Sequence, residues 1–157
     1  MSTNEVRLDE ELTDDKRCFA CGSENPIGLR MTYAIDGDGT ARSRVVLSAD
    51  MQGWRGIAHG GIVMTMIDDA MAYAVDAAGH RGVSASMNTR FRKPVPIGMP
   101  VVVSARVTST RMRVLNVEAA VCDEGGDVLV RAEGMFVSRG AVTPGRLTGS
   151  GRADDRR

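Results

Sequence analysis

The chain of 157 residues has the length of one domain, is 43% hydrophobic and 25% charged, and balances 20 basic against 20 acidic side chains. That balance offers no overall field for a polyanion, so nucleic acid is not expected as a partner. No run reaches the roughly 18 apolar residues of a membrane span, and the polar, acidic start holds no apolar signal core. Three cysteines, an odd count, argue against a disulfide framework and for a reducing, cytoplasmic setting.

In chain order, residues 1–16 read as a flexible, charged leader and residues 17–139 as the folded domain. Residues 140–157 are rich in Gly, Arg and Asp and read as a disordered tail. Residues 29–35 and 40–47 alternate as strands do, and Asp36-Gly37-Asp38-Gly39 between them is a hairpin signal. After a Gly-punctuated loop, residues 62–75 form one apolar run whose Met, Ala and Ile content favours helix, with Gly79 as its C-terminal cap. Four strand-like stretches follow, at 82–92, 100–108, 112–122 and 127–138. A helix that is apolar nearly all round must be enclosed. An antiparallel sheet of five to six strands wrapped around one long central helix meets that need, an α+β architecture of the hotdog type.

The chemistry concentrates before and within the helix. Gly60 and Gly61 leave backbone N–H groups unobstructed at its start, where the positive end of the macrodipole lies. Such donors suit a carbonyl oxygen that becomes negative during acyl transfer, although a glycine pair also serves any tight turn. Asp68 and Asp69 sit in the middle of the apolar helix. Adjacent helical residues lie about 100° apart, so at most one can point deep inward. Burial would raise a carboxyl pKa toward the range of a general base; solvated polar positions are the plainer alternative. Gly60 and Asp68 are separated by about 12 Å of helix, too far to act on one reacting centre within one chain. Two copies related by a two-fold axis, with antiparallel helices, would bring them together.

Three motifs carry a family resemblance. They are Cys18-Phe-Ala-Cys21-Gly22 continuing through Asn25-Pro26 to Gly28-Leu29, His59-Gly60-Gly61 leading to Asp68-Asp69, and Ser84 through Arg90-Phe91-Arg92-Lys93-Pro94. In these the chain resembles the PaaI-like hotdog acyl-CoA thioesterases. The resemblance implies hydrolysis of an acyl- or aryl-CoA thioester by a homodimer, itself expected to pair into a homotetramer. It implies Asp68 as general base or nucleophile, the Gly60 N–H as carbonyl donor, His59 as an orienting group, and Ser84 as support from the partner chain. Many relatives carry Asn six residues before the His, where this chain has Gly53; Gln52 is the neighbour within reach.

Other residues are weighed beside these. Arg90, Arg92 and Lys93 suit the phosphates of CoA or a solvated strand end equally well, and Arg55 and Arg81 are weaker forms of the same idea. Trp54 would cap an acyl tunnel or pin the loop. The ten methionines would adapt to a greasy ligand or simply fill the core. One Cys-x-x-Cys lacks two further zinc ligands, and Cys122 with two distant histidines does not complete a set, so neither metal nor cofactor is expected. His80 reads as a partner of the helix C-terminus. A non-catalytic acyl-CoA or lipid binder is the alternative function. A hydratase is disfavoured, since no His or Asp follows Asn25-Pro26 at short spacing.

Overall fold

The computed structural model describes residues 12–145. The first eleven residues of the expected leader, and the expected tail beyond residue 145, lie outside them. The elements run β1 (Ala34–Ile35), β2 (Ala41–Val46), a short 3-10 turn (Ala49–Met51), β3 (Gln52–Trp54), β4 (Ile57–Ala58), α1 (Gly60–Ala77), β5 (His80–Phe91), β6 (Pro100–Arg111), β7 (Val114–Asp123) and β8 (Val128–Ala141). Six strands form one antiparallel sheet in the order β1-β2-β6-β7-β8-β5, and β3 and β4 pair separately. α1 packs on one face of the sheet against β2, β5, β6, β7 and β8.

Side-chain alternation fixes which face is covered. In β2, Ala41, Ser43 and Val45 are buried and the residues between them are exposed. Register then lines up Ala41, Ala105, Ala119 and Ala132 across β2, β6, β7 and β8, a buried row of small side chains. On β8, Gly134 makes room for Met71 of α1: a Cβ there would lie 2.6 Å from the Met71 sulfur. Met66 and Met71 are fully buried among Val63, Ile67, Leu115 and Val117. These methionines fill the core, the plainer of the two roles.

Several boundaries differ from expectation, and β3 and β4 fall in the segment expected to be a loop. The first strand shrinks from 29–35 to Ala34–Ile35. Leu29 and Met31 instead donate N–H bonds to the carbonyls of Phe19 and Ala20, and Arg30 between them takes a left-handed φ of 52°, which breaks the extended run. The apolar run expected at 62–75 lies inside a longer helix, which starts at the Gly60-Gly61 pair and is capped by His59. The last strand continues to Ala141, past the expected end of the domain. Gly79 ends the helix as expected, at φ 85°.

At the C-terminal end of α1, Asp76 is buried and faces Arg81, with Nη2 and Oδ1 3.9 Å apart. Arg81 Nη1 donates to the Leu12 carbonyl at 3.0 Å, and the Gly145 N–H donates to Asp76 Oδ2 at 2.8 Å. Arg81 is thus held inside its own chain and is not free for a phosphate.

Candidate active site

The loop before α1 is built to present a helix start. Gln52 Oε1 accepts the Gly56 N–H at 3.2 Å and closes the turn between β3 and β4. The Ala58 N–H donates to the Val95 carbonyl and the His59 N–H to the Met51 carbonyl, at 2.8 and 2.9 Å. His59 is the N-cap: its Nδ1 accepts the Gly61 N–H at 3.0 Å, and its carbonyl accepts from Ile62 and Val63. Among the described residues no hydrogen bond engages the Gly60 N–H. Of the two glycine donors expected at the helix start, Gly61 is therefore occupied by the cap and Gly60 is open. The tip of the Phe91 ring lies beside Gly60, where a Cβ would come within 3.7 Å of it.

Gly53, which stands where relatives carry Asn, packs against His59. A Cβ there would lie 3.2 Å from the His59 Cα and 3.4 Å from its Cδ2. With the Gln52 carbonyl committed to the turn, the expected substitution of Gln52 for that Asn does not form within the chain. Trp54 is 81% exposed and neither pins the loop nor caps a pocket in its own chain.

Asp68 lies eight residues along the same unbroken helix. It is half-buried, and its Oδ1 is enclosed without a hydrogen-bond partner. Burial raises its carboxyl above the usual range, and a hydrogen bond with Ser84 of β5 opposes that rise in part. Ser84 thus meets Asp68 of its own chain, where the resemblance implied a role across the subunit boundary. Asp69 turns to a different face of α1 and is the more deeply buried of the two, 9% exposed. Burial and then the negative charge of Cys18 push Asp69 up to about 7.

The basic residues go elsewhere. On β5 the side chains alternate, so Arg90 and Arg92 line an open depression of about 590 Å3 on the outer face of the sheet, together with Arg42, Arg106 and Arg131. Lys93 Nζ pairs with Asp127 at 2.7 Å. These three are not brought to the His59–Gly60 turn within one chain. His80 opens β5, where Nδ1 shares a hydrogen bond of 3.1 Å with the Ser138 hydroxyl, so it serves a strand pairing and not the helix dipole. The group of metal-ligating side chains among the described residues is Cys18, Cys21 and Asp69, away from His59.

The chain resembles known proteins in sequence and in fold. Residues 55–130 match the thioesterase superfamily. The acyl-coenzyme A thioesterase THEM4 of Bos taurus is 28% identical over 134 residues, which are 83% of this chain and 54% of that protein. The chain spans about half the length of the curated relatives it matches. The crystal structure of RHA08564, a thioesterase superfamily protein, superposes with a TM-score of 0.76 at 27% identity, over 78% of this chain and 61% of that one. The Escherichia coli PaaI protein from the phenylacetic acid degradation operon shares the fold, with a TM-score of 0.67 at 19% identity over 73% and 83%. One buried helix on a six-stranded antiparallel sheet gives the chain the hotdog fold, and over residues 55–130 it resembles the thioesterase superfamily.

Proposed function

We propose that the protein hydrolyses an acyl-CoA thioester to free acid and CoA, as a homodimer whose two sites each draw on both chains. The observation that carries this is the pair on α1: an open Gly60 N–H at the helix start and, eight residues on, a half-buried Asp68 whose Oδ1 has no partner. The two suit one reaction and cannot meet within one helix. A two-fold partner would place its Asp68 opposite this chain's Gly60. β5 offers the surface for such pairing. It is a twelve-residue strand at the edge of the sheet, with Val83 42% and Phe91 50% exposed. Long exposed edges with apolar side chains are ready to pair with another strand.

In this reading the thioester carbonyl accepts the Gly60 N–H, and His59 orients the sulfur ester or the water through Nε2–H. Asp68 of the other chain takes a proton from water as the oxygen attacks the carbonyl carbon. The tetrahedral intermediate collapses, the carbon–sulfur bond breaks, and Asp68 returns its proton to the sulfur so that CoA leaves as its thiol. Negative charge grows on the carbonyl oxygen in the transition state, where the helix N-terminus stabilises it. The arginines of the outer depression, Arg90 and Arg92 among them, are the groups for the CoA phosphates. Three free cysteines fit a cytoplasmic setting.

The test is subunit complementation. Asp68→Asn and His59→Ala homodimers are each expected to be nearly inactive against a panel of CoA thioesters. Refolded together, half the dimers are mixed and each mixed dimer holds one intact site, so up to about a quarter of wild-type activity returns. A site built within one chain would recover nothing. Binding of acyl-CoA without turnover in the wild type would favour the non-catalytic binder. Single turnover in heavy-oxygen water separates the two roles of Asp68: a nucleophile acquires label, a general base does not.

A further inference from the structure

The cluster left unused by the thioester site lies where the segment before β1 crosses α1. Cys18 and Cys21 sit on a tight turn, and Asp69 of α1 faces them. One ligand atom from each lies within 4.8 Å of the others, and Cys18 Sγ is 3.6 Å from Asp69 Oδ1. Asp69 is nine-tenths buried, yet its second oxygen, Oδ2, has no hydrogen-bond partner, although the Tyr33 hydroxyl lies near enough to influence the carboxyl. Among the described residues no Lys, Arg or His forms an ion pair or hydrogen bond with any of the three side chains. A buried carboxyl beside two thiols, without a countercharge, is costly unless something compensates it.

We propose that Cys18, Cys21 and Asp69 hold one zinc ion, with water as the fourth ligand, fastening the segment before β1 to the middle of α1. Two thiolates and a carboxylate are borderline-soft donors, which suit zinc and not calcium or magnesium. A sulfur at about 2.3 Å and an oxygen at about 2.0 Å from a tetrahedral zinc stand about 3.5 Å apart. The Cys18–Asp69 separation already matches that edge. The surroundings also suit a bound ion. The Cys21 N–H points at Cys18 Sγ at 3.5 Å, and such N–H groups steady a metal thiolate. The turn is tied by the Gly22 N–H to the Cys18 carbonyl at 2.8 Å, and a Cβ at Gly22 would come within 2.5 Å of the Cys18 backbone. The stacked rings of Tyr33 and Tyr73, with centroids 4.0 Å apart, flank the cluster, and their hydroxyls reach Asp69 and Cys21. Cys18 is exposed, so solvent reaches the fourth position.

Full-length protein, reduced and stripped with a chelator under anaerobic conditions, is titrated with cobalt(II) and then zinc. The expected result is one cobalt per chain with a thiolate-to-cobalt absorption band in the near ultraviolet, bleached by stoichiometric zinc. Cys18→Ser removes an exposed thiol without disturbing the core and should abolish the band; Asp69→Asn should weaken zinc binding at least tenfold. Circular dichroism of each apo variant confirms its fold. A reduced wild-type chain that gives no band overturns the site, as does a band that survives in Cys18→Ser. So does a Cys18–Cys21 disulfide in the isolated protein whose reduced form takes up no zinc.

Discussion

The Gly61 N–H donates to His59 Nδ1 at 3.0 Å, so the side chain that caps α1 is also held by it. A ring nitrogen that accepts carries no proton, and neutral His59 therefore bears its hydrogen on Nε2. The same side chain caps a helix and offers a donor. His59→Ala removes both, and should lower stability by about 1 kcal/mol as well as activity. His59→Asn keeps a capping oxygen and should restore the melting temperature, while kcat stays down by on the order of 10-fold or more. Thermal unfolding and steady-state kinetics on the two variants check this. Equal melting temperatures for Ala, Asn and wild type would remove the cap from the account.

Asp68→Asn should reduce kcat by on the order of 10²-fold with little change in KM, the pattern of an interaction made only in the transition state. Burial holds the Asp68 carboxyl above the ordinary aspartate value of 3.8. The acid limb of the wild-type kcat/KM profile should therefore fall above that value. An acid limb that persists in Asp68→Asn would assign it to another group.

The same substitution should stabilise the fold at neutral pH. Folding raises the proton affinity of Asp68, so above its unfolded pKa the folded chain binds more protons than the unfolded one. Stability then falls as pH rises from the unfolded value toward the higher folded value, and the loss persists beyond it. Asn carries no charge to bury. Melting curves should place Asp68→Asn a few degrees above wild type at neutral pH, with the gap closing below about pH 4. A gap independent of pH would contradict the argument.

Gly134→Ala should cost about 1–3 kcal/mol, because its Cβ would stand 2.6 Å from the sulfur of fully buried Met71. Met71→Ala alone leaves a cavity and should cost about 2–5 kcal/mol. The double variant should lose less than the two losses added together, since the new methyl occupies space the sulfur has left. Chemical denaturation of the four proteins gives the coupling, and strict additivity would show that Met71 simply moves aside.

Much of the fold was legible because burial repeats along it. The apolar run ending at Gly79 and the alternating strands after it name the enclosed helix and the sheet. The first strand was misread because residues 29–33 are apolar enough for a strand, while their hydrogen bonds go to the Phe19 and Ala20 carbonyls. The helix start at Gly60-Gly61 was legible, but its cap was not, because His59 is the cap and histidine is not among the side chains that announce one. Asp68 was found from its chemical oddity in an apolar helix. The link of Asp69 to Cys18 spans 51 positions and has no signature in spacing. Arg90, Arg92 and Lys93 read as one basic cluster because they are neighbours in sequence, yet Arg90 and Arg92 line the outer depression while Lys93 pairs with Asp127.

The ion pair of Asp76 and Arg81 has a consequence for how the chain can be cut and rejoined. Leu12 and Gly145 are both hydrogen-bonded to it, so the path of the backbone between them is almost a closed ring. A short bridge from 145 to 12 would complete that ring, and new ends opened in the turn between Asp123 and Asp127 would leave every sheet ladder uncut. The order in which the strands are synthesised is then separable from the architecture they build.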